Sequence, residues 1–270
     1  RPGPRPAQMW WLIAVAGAFF FRGQIAKFLA PLLPDLAPQK VAFYGNAVTL
    51  FAGIAYIIPV ELVGLGILKR PCYIASMWTT ILTAIFNLKS NYGSPNIPQD
   101  INFSNWREKM VAVQPWLMQV ISSVDFHFLF FALIFLAAYP TVWVLVILCR
   151  RSLWTVCTAM AKNSPENPIW KRFAPTWEKL KAKNDQVLEY SALAEVMLAI
   201  WLSVSLFLPM RQIVTCILYW HYLKIRYQAQ RSHPQHLKAW MMLGKQVDPV
   251  TKMVPILEKP IGWAKDWFRP

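Results

Sequence analysis

Five ionisable residues sit inside apolar blocks of this chain: Glu61, Asp125, His127, Glu189 and Glu195. Charged groups in such blocks are expensive and are functional candidates by default, as proton relays, ion paths or polar contacts between helices. Spacing weighs against a relay. Asp125 and His127 are two positions apart, about 200° around a helix, so they do not share a face. Glu189 and Glu195 also diverge. Asp125, His127 and Glu195 are therefore expected to be intramembrane polar groups that bond between helices.

Other chemistries find less support. His221, His233 and His236 tempt a metal reading, but Pro234 separates the last two and no Cys or Asp cluster lies near. A metal site needs three or four convergent ligands, so these histidines are read as solvated. Cys72, Cys149, Cys157 and Cys216 form no CxxC pair and lie in or beside apolar blocks, where Cys is a small hydrophobe. There is no glycine-rich phosphate loop, nucleophile elbow or HExxH motif. Neither an enzyme nor a bound cofactor is expected.

The elements that must hold these residues are unusual for a soluble protein. Of 270 residues, 56% are hydrophobic and only 15% are charged. Soluble chains average about 45–50% and about 25%. The apolar residues come in blocks of spanning length, so the expectation is an all-α, polytopic helical membrane protein with hairpin-like spans. The blocks are Trp10–Leu33, Val41–Leu68, Cys72–Leu88, Met118–Cys149 and Val187–Leu208, with a shorter run at Gln212–Tyr222. The first is read as a signal anchor or hairpin arm rather than a cleaved signal. Tyr139–Pro140 marks a kink or turn inside the fourth. Lys89–Lys109 and the basic, proline-containing Lys162–Lys183 are read as loops.

The formal charge of +15 fits cytoplasmic loops facing anionic headgroups better than nucleic acid. Stacking platforms need aromatics in a basic groove, and here the aromatics are spread through the apolar blocks. Two topologies place the basic clusters on the cytoplasmic side with both termini. In one, Cys72–Leu88 crosses the membrane and the sequon at Asn102 is lumenal. In the other, Cys72–Leu88 lies in the interface and Tyr139–Pro140 is the tip of a hairpin.

The sequence divides at Pro234 into a helical transmembrane domain, 1–233, and a cytoplasmic amphipathic tail, 234–270. In the tail, Leu237, Trp240, Leu243 and Val247 recur at helical spacing with Lys238 and Lys245 between them. Ile261, Ala264 and Phe268 form a second stripe beside Lys259, Trp263, Lys265, Trp267 and Arg269. Cationic helices with aromatic faces bind membrane surfaces. The stretch "YWHYLKIRYQAQR" (Tyr219–Arg231) reads as a membrane exit, with Lys224, Arg226, Tyr227 and Arg231 at the headgroups.

Three segments carry a family resemblance. "HFLFFALIFLAAYP" (His127–Pro140), "LEYSALAEVMLAIWLSVSLF" (Leu188–Phe207, with Glu195) and Tyr219–Arg231 (with Leu223, Arg226 and Tyr227) resemble the transmembrane protein 33 family, which includes the pore-membrane proteins of fungal nuclear envelopes. The resemblance implies a non-enzymatic protein of the endoplasmic reticulum and nuclear envelope. It implies roles in membrane shaping and pore-complex assembly. It also implies reticulon-type membrane partners and a tail that binds lipid and a nuclear import receptor. The rival expectation is an accessory or structural subunit of a large membrane complex, transporter or channel.

Overall fold

The computed structural model describes residues 38–58, 66–93, 106–208, 211–229, 232–253 and 262. The chain divides into two compact units, Arg1–Val41 and Ala42–Pro270, and the description below concerns the second. The Trp10–Leu33 block, Glu61 and the Asn102 sequon lie outside the described residues, so the signal-anchor expectation concerns that region alone.

The described residues are helical and contain no strand, so the chain is an all-α polytopic membrane protein. Its helices are α1 (Pro38–Ile57), α2 (Lys69–Tyr92), α3 (Trp106–Ile121), α4 (Val124–Leu136), α5 (Val142–Asn163), α6 (Pro168–Ala182), α7 (Asn184–Ser205), α8 (Ile213–Gln228) and α9 (His233–Met253). Among the described residues, four helices are long and apolar enough to cross a membrane: α1, α2 with its preceding turn, α5 and α7.

α1 lies against α2 and α5 through small and hydroxyl side chains. A β-carbon on Gly45 would fall 2.0 Å from Thr83 Oγ1, and one on Gly53 would fall 2.3 Å from Cys149 Sγ. The Thr83 and Cys149 side chains pack directly on these glycines, and a β-carbon at either would force them to shift. Between them, Thr49 Oγ1 pairs with Thr79 Oγ1 at 2.8 Å, and Ser152 Oγ donates to Asn46 Oδ1 at 3.2 Å. Lipid tails are as apolar as Leu, so helices in a bilayer associate through such close packing and hydroxyl bonds. The opposite face of α1 exposes Tyr44, Val48, Phe51 and Ile54.

The core is aromatic. Phe131 and Phe135 of α4 pack on Tyr219 and Tyr222 of α8 with ring centroids 5.3–6.1 Å apart. Tyr73 of α2 donates to Phe135 O at 3.2 Å.

Several boundaries differ from the sequence reading. The expected Lys89–Lys109 loop shrinks at both ends, because α2 continues to Tyr92 and α3 begins at Trp106. Val41–Leu68 is not one block, since α1 ends at Ile57. Met118–Cys149 breaks twice. Beyond the expected break at Ala137–Thr141, Ser123 takes an extended conformation, and its Oγ accepts the Phe126 N–H at 3.1 Å. That cap ends α3 and turns α4 away by 75°. The expected Lys162–Lys183 loop is mostly helix. Asn167 Oδ1 accepts from Ile169 N at 2.9 Å and Pro168 occupies the first turn, which together start α6.

Candidate functional site

Glu195 lies midway along α7 and is fully buried. Arg226, near the end of α8, meets it with a two-pronged contact: Nε donates to Oε2 at 3.1 Å and Nη2 to Oε1 at 2.9 Å. This fork is the geometry in which guanidinium and carboxylate bind most strongly. His236 Nε2 of α9 lies 3.2 Å from the same Oε2, with the ring 1% exposed. Tyr219 donates to the Glu195 backbone carbonyl at 2.9 Å. One carboxylate thus gathers three consecutive helices.

A second pair lies on the neighbouring hairpin. Asp125, one residue into α4, is ion-paired with Arg151 of α5 and accepts from Asn87 Nδ2 of α2 at 3.1 Å. The Arg151 guanidinium stacks 4.2 Å above the Phe128 ring, and Arg226 approaches the same ring at 6.0 Å. Phe128 therefore stands between the two ion pairs. His127 points away from Asp125 into the core, 1% exposed. The two residues diverge as their spacing requires, and each carboxylate has its own arginine.

These groups form one polar layer across the bundle. From it, four segments run to their turns: Asp125 to Ala137, Arg151 to Val142, Glu195 to Ser205 and Arg226 to Ile213. At 1.5 Å per residue each is roughly 14–20 Å long. On the other side of the layer, α9 covers α7 by packing Ala239 and Leu243 against Ala192 and Val196.

Two sequence expectations are corrected here. Arg226 was expected to face the headgroups as an anchor, but its side chain turns into the bundle, 8% exposed and committed to Glu195. Burying it unpaired would cost several kcal/mol, and Glu195 supplies the pair. His236 was expected in solvent and lies inside beside the same carboxylate. The sequence marked Glu195 and Arg226 separately but not as partners, because 31 positions separate them. Opposite charges at one depth in adjacent apolar helices were the available signal.

The remaining surface residues divide. Lys224 is half-buried. Tyr227 faces His233, with ring centroids 4.8 Å apart, and Trp240 stacks on Trp220 at 6.4 Å. Lys238 is exposed and bonds Glu189, and Lys245 is exposed. Trp240 and Leu243 of the first stripe therefore pack against α7 while Leu237 is exposed, and α9, beyond the expected boundary at Pro234, shares a core with α7. Arg231, Lys259, Trp263, Lys265 and Trp267 lie outside the described residues.

No curated protein and no solved structure matches the chain. A family model described as Transmembrane protein 33/Nucleoporin POM33 matches residues 37–252, from the start of α1 to the end of α9. That range takes in both ion pairs and every described helix from α1 to α9. The chain belongs to this Transmembrane protein 33/Nucleoporin POM33 family of endoplasmic reticulum and nuclear envelope membrane proteins.

Proposed function

We propose that the protein is a non-enzymatic organiser of endoplasmic reticulum and nuclear envelope membrane, acting as a wedge in the cytoplasmic leaflet. The observation that carries this reading is the short length of the segments beyond the polar layer. A hydrocarbon core is about 30 Å thick, and the apolar segments beyond the layer are roughly half to two-thirds of that. α4 has 13 residues and α8 has 16, both short of the roughly 20 needed to cross. Placing Asp125–Arg151 and Glu195–Arg226 at headgroup depth lets the ions meet polar surroundings and puts the Ala137–Thr141 turn near the bilayer centre. Mass in one leaflet, with α6 and α9 above it, expands that leaflet and bends the membrane. The family supports the compartment, and both termini lie on the cytoplasmic side in this arrangement. Reticulon-type membrane proteins, pore-complex subunits and a nuclear import receptor are the partners to test.

Reconstitution tests the reading. Vesicles carrying increasing densities of the full chain should become smaller or tubular by electron cryomicroscopy. Unchanged diameters at high density would overturn it.

A further inference from the structure

We infer that α6 is a membrane-surface helix that holds anionic lipid headgroups beside the bundle. One face of α6 is anchored to protein. Trp170 and Trp177 are buried against Leu153, Trp154, Cys157 and Met160 of α5, with Trp177 and Trp154 centroids 4.7 Å apart. A different face is free. Ile169 is 77% exposed and Phe173 38%, and they stand four positions apart on one side of the helix. Thr176 continues that line. Arg172 and Lys179, seven apart, flank it and are exposed. Glu178 falls on the far side, and Glu166 is paired with Lys171.

Chain continuity selects a bilayer as the occupant. α5 and α7 are both membrane-length helices, and α6 hangs between them on Ser164–Asn167 and on Lys183 alone. Trp177 packs on Trp154, three residues beyond Arg151, so α6 lies next to the depth at which the ion pairs are placed. An exposed Ile and Phe flanked by cations fit the bilayer surface there, with the rings and methyls among the upper acyl chains and the cations on phosphates. Each Lys or Arg near an anionic leaflet adds to the attraction. The inference needs α5 and α7 to be membrane helices, with the ion pairs at headgroup depth, and does not depend on curvature.

The test uses the full chain in vesicles of phosphatidylcholine, with or without phosphatidylserine. The vesicles carry a phospholipid with a diazirine high in its acyl chain. After irradiation, peptides bearing lipid adducts are mapped by mass spectrometry. Adducts are expected on the segment holding Ile169 and Phe173, with a higher yield when phosphatidylserine is present. Arg172→Glu with Lys179→Glu should erase that increase, while labelling of lipid-facing α5 and α7 peptides is unchanged. If the reversal disturbs α5 and α7 labelling, Arg172→Gln with Lys179→Gln replaces it, and the phosphatidylserine gain should fall roughly fivefold per charge removed. An unlabelled α6 beside labelled α5 and α7 would overturn the inference. So would an α6 yield indifferent to phosphatidylserine and to these substitutions.

Discussion

Two ion pairs leave α7 six residues apart and meet opposite circumstances. Glu195 reaches Arg226 with both side chains almost wholly shielded, at 0% and 10% exposure. Glu189 reaches Lys238 at the surface, where the lysine is 54% exposed. The residue types are nearly the same, and burial decides what each contact does. In water an exposed pair gains little, because solvent already satisfies both charges. Inside, neither charge can turn to water, so the buried pair enforces which helices meet. The comparison assigns the architecture to Glu195 and leaves Glu189 as surface chemistry.

The largest effect should follow from breaking the buried pair on one side. Arg226→Met leaves Glu195 without its guanidinium and should cost about 3–5 kcal/mol. Thermal unfolding in detergent reads the loss. Adding Glu195→Leu to Arg226→Met should recover much of it, since a buried pair replaced by apolar side chains is often neutral or stabilising. A double variant as unstable as the sum of the singles would show that the two residues act independently.

The close approach of α1 comes next. Gly45→Ala places a methyl within 2.0 Å of Thr83 Oγ1 and should cost about 1–3 kcal/mol. Thr83→Ala added to it should relieve part of that cost, and absence of relief would mean the helices separate elsewhere.

Asp125→Asn should be milder than Arg226→Met. Its partner Arg151 keeps some exposure and its stacking on Phe128, so the loss is that of a charged hydrogen bond, about 1.5–3 kcal/mol. Lys238→Gln should leave unfolding unchanged. A large loss there would erase the contrast between the two pairs.

Much of the helix inventory was legible in the sequence, because apolar blocks of spanning length have few other uses. α2 and α7 followed from block length, and the turn at Tyr139–Pro140 from its proline. Faces were harder to read. In a bilayer the lipid-facing side is as apolar as the core, so periodicity does not say which side of α8 turns inward. Periodicity therefore does not mark Arg226 as a core residue. The break at Ser123 was obscured by apolar sequence on both sides, and its only mark was a serine followed by an acidic first turn. Pro175 and the lysines of α6 resemble connector composition, which hides the helix. Its Asn167–Pro168 start and the seven-residue spacing of Trp170 and Trp177 were the overlooked helical signals. In the tail, the aromatic stripe was recognised, but its partner α7 lies some 40 positions away in the sequence.

The central claim is one of depth, and the Ala137–Thr141 turn reports it most directly. Tyr139 is 47% exposed there, so a small fluorescent amino acid in its place should disturb little. In vesicles containing lipids with nitroxides at different depths, quenching should be strongest from the nitroxide nearest the bilayer centre. Strongest quenching from a headgroup nitroxide, or by a water-soluble quencher on the far side, would contradict the account and make α5 a full span and α3 with α4 a broken one.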